Sequence, residues 1–184
     1  MKVLGISGSL RSGSHNTALL RAAQRLAPQG TQLELYEELE LIPPYNEDRD
    51  GDAAPAAATR LRELVAGADA VLFATPEYNG STPGQLKNAL DWLSRPRGEA
   101  AIHGKTVAVI GATTGAYGGI WAQAELRKSL GIAGARVVDA ELAIGKAGEH
   151  LYADGEIVDV ETHECLTQVL ADLAAGAEPL AVAA

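Results

Sequence analysis

The chain has 184 residues, 47% of them hydrophobic, and a formal net charge of −9. That length suits one globular domain with a substantial core, and the acidic balance argues against nucleic acid or an anionic membrane as partner. Its one cysteine, Cys165, excludes an intrachain disulfide and a cysteine-built zinc or iron–sulfur centre.

In chain order, residues 3–6 form the first β-favouring run. Residues 16–26 follow with Leu19, Leu20, Ala23 and Leu26 at helical spacing, Asn16 as a cap, and Pro28 and Gly30 at the end. A second strand falls at 33–36. After a polar, alanine-rich connection at 48–56, a helix over 55–65 sets Leu61, Leu64 and Val65 on one side. Residues 70–74 read AVLFA, a third strand. The next helix has Thr82 as cap, Pro83 at its first position and Gln85 three residues past the cap, with Leu86, Leu90 and Leu93 as its apolar side. TVAVI at 106–110 is the fourth strand, 119–130 a helix, 136–139 a fifth strand with an extension to Leu142 left open, and 160–173 the last helix.

The runs 70–74 and 106–110 are continuously apolar rather than alternating, which marks strands covered on both faces and hence a parallel sheet. Strand–helix alternation implies right-handed crossovers in a three-layer α/β domain. A five-stranded, doubly wound order 2-1-3-4-5 is expected by analogy with folds of this kind. The domain is expected to span 1–174, with a short alanine-rich tail at 175–184. No apolar run reaches membrane-spanning length and MKVLGISGS is too short for a signal peptide, so a soluble cytoplasmic protein without membrane insertion is expected.

Three unusual loops follow strand carboxyl ends, where a doubly wound sheet gathers them on one edge. GISGSLRSGSHN holds three glycines, four serines and one arginine. Glycines permit close backbone approach, helix-start N–H groups receive anions, and Ser9, Ser12, Ser14 and Arg11 add donors, a set that suits a phosphate. An ordinary polar turn with an exposed arginine is the plainer alternative. No GKS or GKT follows, and the third glycine of GxGxxG is missing, so neither the ATP-binding P-loop nor the dinucleotide fingerprint is present. His15 beside the serines is weak support for a nucleophile–base pair.

The second loop, TPEYNGSTPGQLKNALDW, offers Pro76 to fix backbone shape, Tyr78 to stack and Asn79 to address polar ring atoms. A capped helix start under a tyrosine is its alternative reading. The third, GATTGAYGG, has four glycines in nine residues. It would let a flat ligand approach, with Thr113 and Thr114 donating and Tyr117 covering a ring, or it is simply a flexible crossover.

GISGSLRSGSHN, LIPPYNED, PEYNGSTPGQLKNALDW and GATTGAYGG, in that order, resemble the NAD(P)H-dependent FMN reductase family, which includes quinone, azo-dye and chromate reductases. The resemblance runs from Met1 to about Leu170 and implies a flavodoxin-like fold. It implies that Ser9, Arg11, Ser14, Asn16 and Thr17 surround the FMN phosphate. Pro76, Glu77, Tyr78 and Asn79 would line the ribityl and ring portions, with Gly80 and Ser81 completing the turn. Gly111, Ala112, Thr113, Thr114 and Gly115 would approach the ring from the other side, with Tyr117 and Gly118 nearby. His15 takes no cofactor role in this pattern.

The resemblance also implies hydride transfer from NAD(P)H, with NADPH slightly favoured, to flavin N5, and then electron transfer to a small acceptor such as a quinone, azo compound, free flavin or chromate. No protein acid or base is nominated, so no catalytic residue is expected. A homodimer or homotetramer is implied. An electron-transfer flavodoxin or a nonenzymatic flavin sensor on the same scaffold is the alternative. Arg49, Arg95 and Arg97 are either ribose-phosphate ligands or solvated charges, the second being favoured. His103 reads as a turn residue and Cys165 as a packed thiol. Neither His150, His163 nor the acidic run at 37–40 supplies metal-ligand spacing, so no metal is expected.

Overall fold

A computed structural model describes residues 1–177. Five strands, β1 (Lys2–Ser7), β2 (Gln32–Tyr36), β3 (Ala70–Ala74), β4 (Thr106–Ala112) and β5 (Arg136–Ile144), alternate with five α-helices, α1 (His15–Leu26), α2 (Ala56–Gly67), α3 (Gly84–Leu93), α4 (Ile120–Ile132) and α5 (Val160–Ala177). All pairings are parallel, in the order β2-β1-β3-β4-β5. This is the flavodoxin-like doubly wound order, with its switch point between β1 and β3.

The two-residue period of each strand sorts its side chains into two layers. Ala70, Leu72 and Ala74 of β3 join α1 and α5, whereas Val71 and Phe73 join α2, α3 and α4. Burying a side chain such as Leu61, Leu72 or Phe73 contributes roughly 1.5–3 kcal/mol. The α1–α5 layer uses small strand residues, Ala70, Ala74, Ala108 and Ala112, which leaves room for the helices above them.

Several local expectations change. Ser14, not Asn16, caps α1, its Oγ accepting the Thr17 N–H at 3.2 Å. Thr82 is no cap: its hydroxyl donates to the Ala122 carbonyl at 3.2 Å, and α3 begins after Pro83 with no side-chain cap. Gln85 instead sends its Nε2 to the carbonyls of Leu39 (2.7 Å) and Ile42 (2.9 Å). Asn88 Nδ2 and Trp92 Nε1 reach the Pro43 carbonyl at 2.9 and 2.8 Å. Spaced by three and four residues, these side chains form one stripe of α3 that ties down the LIPPYN segment. Leu86, Leu90 and Leu93 are core.

β5 is longer than its apolar run because it is an edge strand, with Asp139 and Glu141 exposed. Its pairing with β4 shifts register between Val107 and Val109. The Arg127 guanidinium spans that irregularity, donating to the carbonyls of Val138 (2.9 Å), Val109 (3.1 Å) and Ala140. Cys165 is exposed rather than packed, since Leu166, Val169, Leu170 and Leu173 take the buried stripe of α5. That helix continues through 175–177, the start of the segment read as a tail, and the rest of it lies outside the described residues.

Residues 145–159, between β5 and α5, form a seam. The N–H groups of Lys146 and Ala147 bond the carbonyls of Gly115 (2.8 Å) and Thr113 (2.9 Å). Arg21 and Arg25 of α1 donate to the carbonyls of Ala153 (3.1 Å) and Asp154 (2.9 Å). The seam closes with His150 Nδ1 at 2.8 Å from Asp159 Oδ2. The Thr162 N–H and the His150 ring hold the Asp159 carboxyl below the usual carboxylate range.

Candidate functional site

The loops after β1, β3 and β4 meet at the carboxyl edge of the sheet. The first is held by short local bonds. Ser7 Oγ accepts the Thr17 hydroxyl at 2.9 Å and the Ser9 N–H at 3.3 Å. Arg11 is exposed and, among the described residues, pairs with no carboxylate. Beside it the first turn of α1 presents N–H groups that a helix cannot satisfy itself.

The second loop is a two-residue turn. Tyr78 and Ser81 exchange both backbone hydrogen bonds at 3.1 Å, and Asn79 and Gly80 have φ of 55° and 71°. Asn-Gly at two positive-φ positions is the preferred type I′ pair. The turn is braced from α4. Glu125 Oε2 accepts from the Ser81 hydroxyl at 2.6 Å and the Thr82 N–H at 2.7 Å, and these bonds hold its carboxyl below the usual glutamate range. Glu77 Oε2 accepts the N–H groups of Trp121 (3.0 Å) and Ala122 (3.1 Å). It thus caps α4 from another loop, its charge complementing the helix start. The chain's own cap there, Gly119, supplies no side chain.

Gly111 and Ala112 of the third loop belong to β4, which outlasts the TVAVI run. Asn16, buried, brackets Ala112: its Nδ2 donates to the Ala112 carbonyl at 2.9 Å and its Oδ1 accepts the Ala112 N–H at 3.0 Å. The Asn16 side chain therefore joins the first loop to the third, and its backbone N–H is what it has for an anion. Further on, the Thr113 N–H bonds the Ile144 carbonyl at 2.9 Å, and Gln123 Nε2 the Gly118 carbonyl at 3.1 Å. Gly118 is forced by close approach, since a Cβ there would stand 2.4 Å from the Ala143 carbonyl carbon. Tyr117 is exposed against Trp121, ring centroids 5.1 Å apart.

The three loops enclose a cavity of about 320 Å³, at the lower end of the roughly 300–1,000 Å³ typical of small-molecule sites. Ser9, Arg11, Ser14 and Asn16 line one part; Pro76, Glu77, Tyr78, Ala112, Thr113 and Thr114 line the rest, and His15 joins them. Thr17 faces a neighbouring groove with Ser9 and Arg11. Asn79, Gly80, Ser81, Gly111, Gly115, Tyr117 and Gly118 do not line the cavity and shape the loops around it. A larger groove, about 610 Å³, is lined by residues such as Arg95, Arg97, His103 and Gly134 that precede β4 and β5. It lies at the opposite, amino-terminal edge of the sheet, away from the three loops.

The model of the NADPH-dependent FMN reductase family matches residues 1–149. An NAD(P)H-dependent FMN reductase of Pseudomonas aeruginosa is 45% identical over 92% of this chain and 91% of its own. The chain belongs to the NADPH-dependent FMN reductase family. A quinone reductase of Escherichia coli K12 is 34% identical over 91% of this chain and 90% of its own. Among solved structures, the flavoenzyme NAD(P)H:(acceptor) oxidoreductase FerB from Paracoccus denitrificans superposes with a TM-score of 0.87 at 36% identity, covering 96% of each chain. The protein is accordingly an oxidoreductase with FMN as cofactor and NAD(P)H as electron donor.

The residues present fit that cofactor. An unpaired guanidinium, serine hydroxyls and a helix start suit a phosphate. Pro76, Tyr78 and the two threonines suit a flat ring with polar edges. The sequence pattern did not single out the reductase's bracing side chains, Gln123 and Glu125, because an acid or amide on a helix reads as solvent-facing. Nor did it give His15 a place in the cavity. Among the described residues no group of three or more His, Cys, Asp or Glu could hold a metal ion, and no helix is long and apolar enough to cross a membrane.

Proposed function

We propose that this reductase binds FMN in the cavity between the three loops and passes reducing equivalents from NAD(P)H to a small quinone-type acceptor. The observation that carries it is the convergence of Ser9, Arg11 and Ser14 with Pro76, Tyr78, Thr113 and Thr114 around one cavity. Bound FMN would supply the redox chemistry itself. Arg11, the Ser9 and Ser14 hydroxyls and the first N–H groups of α1 would fix its phosphate. Pro76 and Tyr78 would border the ring on one side and Thr113 and Thr114 on the other. Backbone donors there would favour negative charge on the reduced ring.

Tyr78, exposed, lines the cavity, and exposed Tyr117, Ile120 and Trp121 lie at the end of the third loop and the start of α4. They suit both an apolar acceptor and a second copy of the chain, so a homodimer or homotetramer is part of the reading. NADPH as preferred donor rests on the family description; Arg95 and Arg97 lie in the distant groove and contribute nothing to it. A cytoplasmic location fits a reductase fed by NAD(P)H.

The test is an absorbance spectrum of purified protein, mass spectrometry of released cofactor, and the spectrum again after anaerobic NADPH. Bound FMN that bleaches rapidly, with turnover of a benzoquinone, is the expected result. FMN reduced only by dithionite would make the protein an electron carrier or sensor instead.

A further inference from the structure

A second groove, of about 410 Å³, lies on the other side of the first loop and shares Ser9 and Arg11 with the flavin cavity. We propose that it takes the adenylate half of FAD, so that this loop is built to hold either one phosphate or a diphosphate running from one groove into the next. The proposal rests on the flavin reading above.

The chemistry of the walls points to an adenosine. Ser9 and Arg11 stand at the junction, where the second phosphate would cross, and the Ser7 and Thr17 hydroxyls, 2.9 Å apart, line the groove beyond them. Opposite stands the carboxyl end of β2. Glu37 is the first residue after that strand and is exposed. In Rossmann dinucleotide sites, whose glycine fingerprint this chain lacks, an acid after the second strand accepts a hydrogen bond from the ribose, and Glu37 stands in the corresponding place. Leu10, which is exposed, and half-buried Leu35 add apolar surface on which a purine can rest, and both line the groove. Glu40 joins Glu37, so two carboxylates oppose an extra phosphate on that ribose, while Arg21, which also lines the groove, is turned to the Ala153 carbonyl at 3.1 Å. The groove therefore suits FAD, whose adenosine carries a free diol, and disfavours the adenosine of NADPH, whose ribose is phosphorylated. A single FMN phosphate uses Ser9 and Arg11 and leaves this groove to solvent.

Full-length protein freed of flavin would be titrated with riboflavin, FMN and FAD by calorimetry. FAD is expected to bind at least about tenfold more tightly than riboflavin, the scale of one charge-assisted phosphate contact. Glu37→Ala, and Glu40→Trp to fill the groove, should weaken FAD by about tenfold and leave FMN unchanged within about twofold. FAD no tighter than riboflavin would overturn the proposal, as would equal losses for FMN and FAD in both variants. In FMN-loaded protein, a Glu37→Ala rise in KM for NADH with FAD affinity untouched would assign the groove to the nicotinamide nucleotide and also overturn it. If FMN itself fails to bind, the flavin reading falls first and takes this inference with it.

Discussion

The first and second loops both leave the carboxyl end of a strand and both face the flavin cavity, yet they are held in different ways. The loop after β1 is tied by bonds among its own serines and Thr17, and it leaves Arg11 unpaired. The turn after β3 is braced from outside, by Glu125 on Ser81 and Thr82 and by Glu77 on the start of α4. The difference teaches a division of labour. The second loop is shaped from outside before a ligand arrives, while the first, held by its own bonds, keeps its charge and donors free for one.

The largest expected effect comes from cutting the bracket between the first and third loops. Asn16→Ala leaves the Ala112 N–H and carbonyl buried without partners, at roughly 1–3 kcal/mol per group. Urea unfolding of flavin-free protein should therefore show a loss of about 2–6 kcal/mol. A change under about 0.5 kcal/mol would mean that the loops stand independently.

Arg11→Ala should do the reverse. It should leave flavin-free stability within about 0.5 kcal/mol of the parent, yet raise the Kd for FMN about ten- to hundredfold, as loss of charge-assisted bonds to phosphate implies. Unchanged FMN affinity in a fluorescence titration would remove Arg11 from the phosphate site. A smaller effect belongs to Glu77→Ala, which removes the cap of α4 and should cost about 1 kcal/mol, read by thermal unfolding of flavin-free protein. An unchanged midpoint would show that Glu77 braces nothing.

The smallest is a pH effect. The native Glu125 carboxyl is held below its ordinary range by the Ser81 hydroxyl and the Thr82 N–H. Its contribution is complete above the unfolded value, about 4.3, and is lost as pH falls through the lowered native value. The stability gap between the parent and Glu125→Gln should therefore shrink toward acid. A gap of constant size from neutral pH down to pH 3 would sink that account.

Much of the fold was legible because the central strands are continuously apolar: β3 came out residue for residue, and the alternation of elements gave a parallel α/β domain, while the strand order came from analogy with doubly wound folds. β5 came out short, at 136–139 with an extension to Leu142 left open, because an edge strand tolerates exposed Asp139 and Glu141 that interrupt its apolar pattern, and it runs to Ile144. Caps were misplaced by proximity: Ser14, Asn16 and Thr82 are all good capping residues, and only packing decides which one caps. The motifs located the three loops, since glycine, serine and asparagine at strand ends carry local geometry. They did not reveal that Asn16 serves a backbone 96 residues away, or that Glu77 also caps α4 and Glu125 braces the second loop. Such long-range partners have no periodicity and no local signature.

The seam at 145–159 gives the cofactor edge an outside gauge. One short stretch bonds the carbonyls of Thr113 and Gly115 at one end and receives Arg21 and Arg25 of α1 at the other. Ala153 and Asp154, at its turn, are exposed. A protease can cut there only as fast as the stretch lifts away from both partners. Any small molecule that tightens the third loop or α1 should then slow cleavage at a peptide bond it never touches, which turns a surface nick site into a ligand sensor.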